Sequence, residues 1–147
     1  MRINSNWAQL YLRLALGAAF LFLGLDRFGT WGAPGTKYAS WGDWKHFTDY
    51  AHQVLFFLSN SWVEVFAMAA TVCELLFGLL LMIGLFTRQA AIGSGLLTLC
   101  FALCMAFAFG ITSPINYSVF AVSAGSFMLA AQTNYDWSMD AARNAIK

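Results

Sequence analysis

Residues 67–78, Ala-Met-Ala-Ala-Thr-Val-Cys-Glu-Leu-Leu-Phe-Gly, carry a single carboxylate, Glu74, in the middle of an apolar run that extends from Ser61 to Phe86. At about 1.5 Å per residue such a run crosses the hydrocarbon core of a bilayer, about 30 Å thick. A charge at that depth is costly and requires a partner, a water-lined cavity or a bound proton. Phased on Glu74 at about 100° per residue, Ala67, Ala70, Thr71, Gly78 and Leu81 share its face. The carboxylate is therefore expected on a small-residue face that packs against another helix, not on lipid.

Working outward, residues 8–26 form a first apolar span interrupted by Gln9 and Arg13. Asp26-Arg27-Phe28 stands where a signal peptide would show a small-residue cleavage site, so the segment reads as a retained helix. Arg13, Gly17, Phe20, Gly24 and Arg27 lie on one of its faces, and the two glycines permit close helix approach. A third span covers 90–110, with Ala91, Gly95, Thr98, Ala102 and Ala106 as its small face and Cys100 and Cys104 opposite. Thr87-Arg88-Gln89 reads as the tight connector before it. The fourth span, 114–132, is short in uninterrupted apolar length. The polar tail after it can form an amphipathic surface helix.

The insertion at 29–60 is irregular and aromatic-rich up to Trp44. From His46 it turns weakly helical and ends in Val54-Leu-Phe-Phe-Leu58, too short to span and expected as an interfacial or re-entrant helix. The fold class expected is thus all-α: one integral membrane domain over 1–147, a four-helix transmembrane bundle with a long outer loop between helices 1 and 2.

Composition agrees. The chain is 60% hydrophobic and only 10% charged, against about 25% for a soluble domain. A net charge of +1, without a basic tail, gives no reason to expect nucleic acid. Six Trp suit headgroup anchors. Arg2, Arg88, Arg143 and Lys147, with Arg13 nearby, fall on the side of both termini, which favours cytoplasmic termini and an outer 29–60 loop.

Chemistry rests on few residues. Glu74 and Arg13 are the candidate catalytic pair: Arg13 is the basic residue inside the other spans and sits on the glycine face. They form either an internal ion pair that fixes packing, or a proton relay or part of a quinone or small-anion pocket, unless a partner subunit supplies the counter-charge. Glu64 and Arg27, with Asp26, are candidates for a polar cluster at the outer mouth. His46 and His52 are candidates to donate to a quinone carbonyl or carry its protons. Haem is disfavoured because the spans hold no His. A zinc site is disfavoured because the histidines and cysteines lie in different regions, and the cysteines read as small apolar fillers.

Three stretches carry a resemblance. Tyr11-Leu-Arg13-Leu-Ala-Leu-Gly17 through Gly24-Leu-Asp26-Arg27-Phe28, Cys73-Glu74-Leu-Leu-Phe-Gly78 through Gly84-Leu-Phe-Thr87-Arg88, and the tail Trp137-Ser138-Met139-Asp140-Ala141 are together similar to the DoxX-like family of small four-helix membrane proteins. Arg27 stands where that family typically has Lys. The long loop looks more like the DoxD branch, the membrane subunit of thiosulfate:quinone oxidoreductase. The resemblance implies a bacterial inner-membrane protein serving a quinone-linked redox system, with quinone as cofactor, lipid around it, and a second subunit or further copies of itself as partner. In this reading quinone enters between helices lined by Gly17, Gly24, Ala67 and Gly78. The alternatives are a non-enzymatic scaffold anchoring a periplasmic or secreted partner through the 29–60 loop, and a small transporter assembled as a dimer.

Overall fold

The computed structural model describes residues 5–145; Arg2 and Lys147, which entered the charge count, lie outside them. Seven helices are present among the described residues: α1 (Ser5–Asp26), α2 (Trp44–Val54), α3 (Asn60–Ile83), α4 (Thr87–Phe109), α5 (Thr112–Asn116), α6 (Val119–Ala130) and α7 (Met139–Ala145). α1, α3 and α4 are each long and apolar enough to cross a membrane, whereas α6 has only 12 residues. α1 packs chiefly on α3, α6 on α4, and α3 on α4, while α2 lies against α3 and α4.

The buried face of each long helix is mostly small and polar residues, and most of its large apolar side chains face outward. On α3 the buried set is Val63, Ala67, Ala70, Thr71, Glu74, Gly78 and Leu81, while Phe66, Met68, Val72, Leu76 and Leu79 are exposed. The expected face of α1 is buried as well: Arg13, Gly17, Phe20, Gly24 and Arg27. α4 buries Ala91, Gly95, Thr98 and Ala102 and leaves Cys100 exposed. This arrangement suits lipid, where apolar surface gains nothing by leaving its solvent and helices associate by close packing instead. The closest approach is at Gly17 and Gly78, where a Cβ on Gly17 would stand 3.0 Å from the Gly78 carbonyl oxygen and one on Gly78 3.1 Å from that of Gly17. That crossing is sealed, and Gly24 is covered by the Leu75 side chain. The expected quinone path between these glycines is therefore closed.

Two boundaries differ from expectation. The α3–α4 connector is Gly84-Leu85-Phe86, three residues earlier than 87–89. Gly84 closes α3 in the left-handed region (φ 70°), Leu85 N–H bonds the Leu80 carbonyl at 3.0 Å, and Thr87 already begins α4. Such a C-cap favours glycine, and here a Cβ on Gly84 would also collide with the Arg13 guanidinium and Ser138. The second difference is in the 29–60 loop. Leu55–Leu58, expected to finish the loop helix, leave it as a turn. Phe56 and Phe57 instead pack on Phe107 of α4, with ring centroids 5.4 and 5.9 Å away.

α2 begins at a real cap. The Asp43 carboxylate accepts the His46 backbone N–H at 2.8 Å and also faces the His46 Nδ1 at 2.8 Å. The helix buries Phe47, Thr48, Ala51 and Val54 on one stripe. Phe47 and Ala51 join Val63 and Ala67 in one apolar cluster, flanked by Trp41 and Trp44. A second cluster, built from Leu16, Phe20, Leu81, Ala90, Ala91, Leu129 and Ala130, fills the other end of the bundle.

Substitution Gly78→Val forces α1 and α3 apart and is expected to lower stability by about 1–3 kcal/mol. Gly125→Ala, whose Cβ meets only the Leu12 Cδ1 at 3.5 Å, is expected to be neutral or mildly stabilising; thermal unfolding in nanodiscs compares the two. A pH effect follows from the α2 cap. The His46 backbone N–H, then the His46 ring, hold the Asp43 carboxyl below the usual carboxylate range. The cap's contribution is thus complete above that range and lost as pH falls through the lowered value. The protection of the amides at the start of α2, that is hydrogen exchange corrected for its intrinsic pH dependence, is expected to fall on such acidification and to be flat with pH in Asp43→Asn.

Candidate functional site

α1 and α3 run antiparallel, and their contacts form rungs. Arg13 donates to the Leu81 carbonyl, Gly17 meets Gly78, and Gly24 meets Leu75. Arg27, immediately after α1, meets Thr71 and Glu74. This register decides the chemistry. Glu74 pairs with Arg27, Nη2 to Oε2 at 2.6 Å, and both side chains are almost fully buried. Arg13 lies at the Leu81–Gly84 level, two or more turns of α3 away, and donates to backbone carbonyls: Leu81 at 3.2 Å and Trp137 at 2.8 Å. The expected Arg13–Glu74 pair is replaced by Arg27–Glu74, and Arg13 has no part in that site.

The environment of Arg27 is built from three elements. Its second terminal nitrogen donates to the Thr71 hydroxyl. Thr71 in turn donates its own proton to the Ala67 carbonyl one turn back, at 2.8 Å, so its oxygen is free to accept. The Phe47 ring of α2 lies 3.7 Å under the guanidinium carbon, a favourable cation–π placement once water is excluded. Asp26, fully buried, faces the other way: its Oδ2 accepts the Ser40 and Trp41 backbone amides, both at 2.7 Å, and anchors the aromatic loop to the end of α1. Asp26 Oδ1 and Arg27 Nε have no hydrogen-bond partner among the described residues.

Glu64 does not join this cluster. It is exposed, one turn above Ala67, and its Oε1 stands 3.5 Å from the Nε2 of His52. Beside this pair an open groove of about 440 Å³ is lined by Trp44, Glu64, Val65, Met68 and Ala69. Its wall connects to the ion pair through aromatic contact: Trp44 packs on Phe47 with ring centroids 5.6 Å apart. His46 is taken up by the α2 cap and does not line the groove. Of the six expected residues, the structure therefore joins Arg27 with Glu74 and His52 with Glu64, and leaves Arg13 and His46 elsewhere.

Two residues were missed as positioning groups. Phe47 covers Arg27, and Asp140 organises the opposite end. The Asp140 carboxylate accepts the Phe86 and Thr87 backbone amides at 3.0 and 2.8 Å, and its own N–H bonds the Gly84 carbonyl at 2.9 Å. The tail motif that contains Asp140 was visible; its target, the bare N-terminus of a helix 53 residues earlier, was not.

Long apolar helices with small residues inside, large ones outside and a buried arginine–glutamate pair define a small polytopic helical membrane protein. A family model described as DoxX matches residues 8–112, and the chain belongs to the DoxX family. Comparisons with curated proteins and with solved structures gave no match.

Removing one member of a buried ion pair leaves the other charge uncompensated, at about 3–5 kcal/mol, whereas an apolar replacement of both is close to neutral. Glu74→Leu and Arg27→Met are each expected to destabilise strongly, and Arg27→Met/Glu74→Leu to recover most of the loss. Thermal unfolding of all four proteins in one double-mutant cycle measures the coupling.

Proposed function

We propose that the protein is the membrane subunit of a quinone-linked redox system in the bacterial inner membrane. In this reading α5 and α6 together make a fourth, broken span, completing a four-helix bundle with both termini cytoplasmic and the 29–60 loop outside. The observation that carries it is the groove beside α2: apolar walls open towards lipid, with one carboxylate, Glu64, and an imidazole, His52, 3.5 Å from it. These residues fit a quinone ring, which needs a flat apolar slot and a proton-bearing group near a carbonyl oxygen. A bound quinone supplies acceptance of two electrons and two protons. His52 and Glu64 hold and pass the protons at Nε2 and Oε1. Trp44 forms the wall of the slot, and the Arg27–Glu74 pair, acting through Phe47, keeps α2 and that wall in place. The electrons come from a reduced donor or a partner subunit at the outer loop; a sulfur compound such as thiosulfate, two of which release two electrons on joining through an S–S bond, matches the DoxD resemblance.

A second reading, a non-enzymatic anchor for a periplasmic or secreted partner, is favoured by the exposure of Phe28 and Tyr38 on the outer loop.

The test is purification into native-lipid nanodiscs followed by mass spectrometry for quinones and proteins. Under the redox reading wild type carries a stoichiometric quinone. His52→Ala and Glu64→Gln retain about tenfold less or below, the scale of one lost hydrogen bond to a polar partner, and His46→Ala retains it in full. A quinone-free preparation holding a protein through the outer loop instead establishes the anchor.

A further inference from the structure

The end of the bundle opposite the groove has a second polar depression, which the redox reading does not use. It lies between the α3–α4 turn and α7, measures about 270 Å³, and is lined by Arg88, Gln89, Thr133, Tyr135, Asp140 and Arg143, with Phe86 at its edge. We propose that it seats the phosphate of an anionic phospholipid headgroup.

The charge balance comes first. Neither Arg88 nor Arg143 forms an ion pair with any described residue. The Arg143 guanidinium lies 5.3 Å over the Phe86 ring, which fixes it beside the depression without neutralising it. Asp140 is the only carboxylate in the lining, and both its oxygens are engaged by the Phe86 and Thr87 amides. The Tyr135 hydroxyl is directed to the Leu129 and Ala130 carbonyls. Two guanidinium forks, with Gln89 and Thr133 as neutral donors, therefore face a space with one already committed negative charge. Arginine forks match phosphate oxygens in geometry as well as charge.

The surroundings select a lipid source for that phosphate. The depression stands where α3 ends and α4 begins, at the boundary of two apolar spans. Phe86, Trp137 and Met139 are exposed around it, and Trp137 packs at a tilt on Trp7 with ring centroids 4.8 Å apart. Such an aromatic and basic rim belongs at headgroup level. One turn into the membrane from Arg88, Ile92 is exposed, as are Met82 and Ile83 at the end of α3. A headgroup held by Arg88 and Arg143 would lay its acyl chains along these side chains.

The experiment uses the full chain in nanodiscs of mixed phosphatidylglycerol and phosphatidylcholine, with native mass spectrometry counting the lipid each protein keeps. Wild type is expected to retain phosphatidylglycerol preferentially. Arg88→Gln/Arg143→Gln is expected to bind it about thirtyfold more weakly, the combined effect of two surface cations near the headgroups. Arg88→Lys/Arg143→Lys, which keeps the charge and loses the fork, is expected to fall between them. Both substitutions are at exposed positions, and unchanged unfolding temperature in the lipid-free detergent state separates binding from folding. Equal retention by wild type and the Gln variant overturns the site. Displacement of the lipid by inorganic phosphate at comparable concentration overturns the lipid assignment and leaves a free-anion site.

Discussion

The Arg27–Glu74 ion pair is the constraint on which the rest of the arrangement depends. Hydrocarbon offers neither charge a hydration shell, so the pair leans on protein for its remaining contacts, although Arg27 Nε has no hydrogen-bond partner among the described residues. Thr71 supplies an acceptor, and the Phe47 ring covers the flat face of the guanidinium. In meeting these needs the pair ties three elements together: the end of α1, the middle of α3 and the buried stripe of α2. The neighbouring Asp26 extends the same junction into the loop by receiving two of its backbone amides. The 29–60 loop is thus not a loose insertion but part of the junction.

The packing of the helices follows from the same solvent. Large apolar side chains have little reason to leave lipid, and most of them face outward, while glycine, alanine, serine and threonine are frequent at the helix contacts. Two buried hydroxyls satisfy themselves within the bundle: Thr98 bonds the Ser94 carbonyl one turn back, and Ser123 of α6 reaches across to the Gly95 carbonyl of α4 at 2.8 Å. These contacts let the short α6 hold its place beside α4. On either side of the ion pair an apolar cluster completes the interior, one beneath the outer loop and one at the α7 end.

Much of this was legible in the residues. The buried face of α3 follows from phasing on Glu74, and the buried face of α1 follows from the spacing of Arg13, Gly17, Phe20, Gly24 and Arg27. Which of the two arginines meets Glu74 was not legible, because both share that face and the choice is one of register. A short connector would have fixed the register between α1 and α3; the 29–60 insertion leaves it free in sequence terms. Likewise the apolar run 54–58 reads as helix by hydropathy, but its phenylalanines gain more by turning to Phe107 than by continuing α2. Glu64 was a candidate by residue type, but for a polar cluster with Asp26 and Arg27. Its pairing with His52, and the exclusion of His46 by the Asp43 cap, needed the three-dimensional placement of α2.

The double acceptance of α4's first amides by Asp140 has a consequence for how the protein is made. When α3 and α4 have left the translocation machinery, their joining turn still has bare amides at Phe86 and Thr87, and Arg13 lacks the Trp137 carbonyl it donates to. Both needs are met only once residues 137–140 have been synthesised. Until then the hairpin is unlatched, so the last-made residues close the bundle. The tail is in this sense a completion signal, read by the bundle itself.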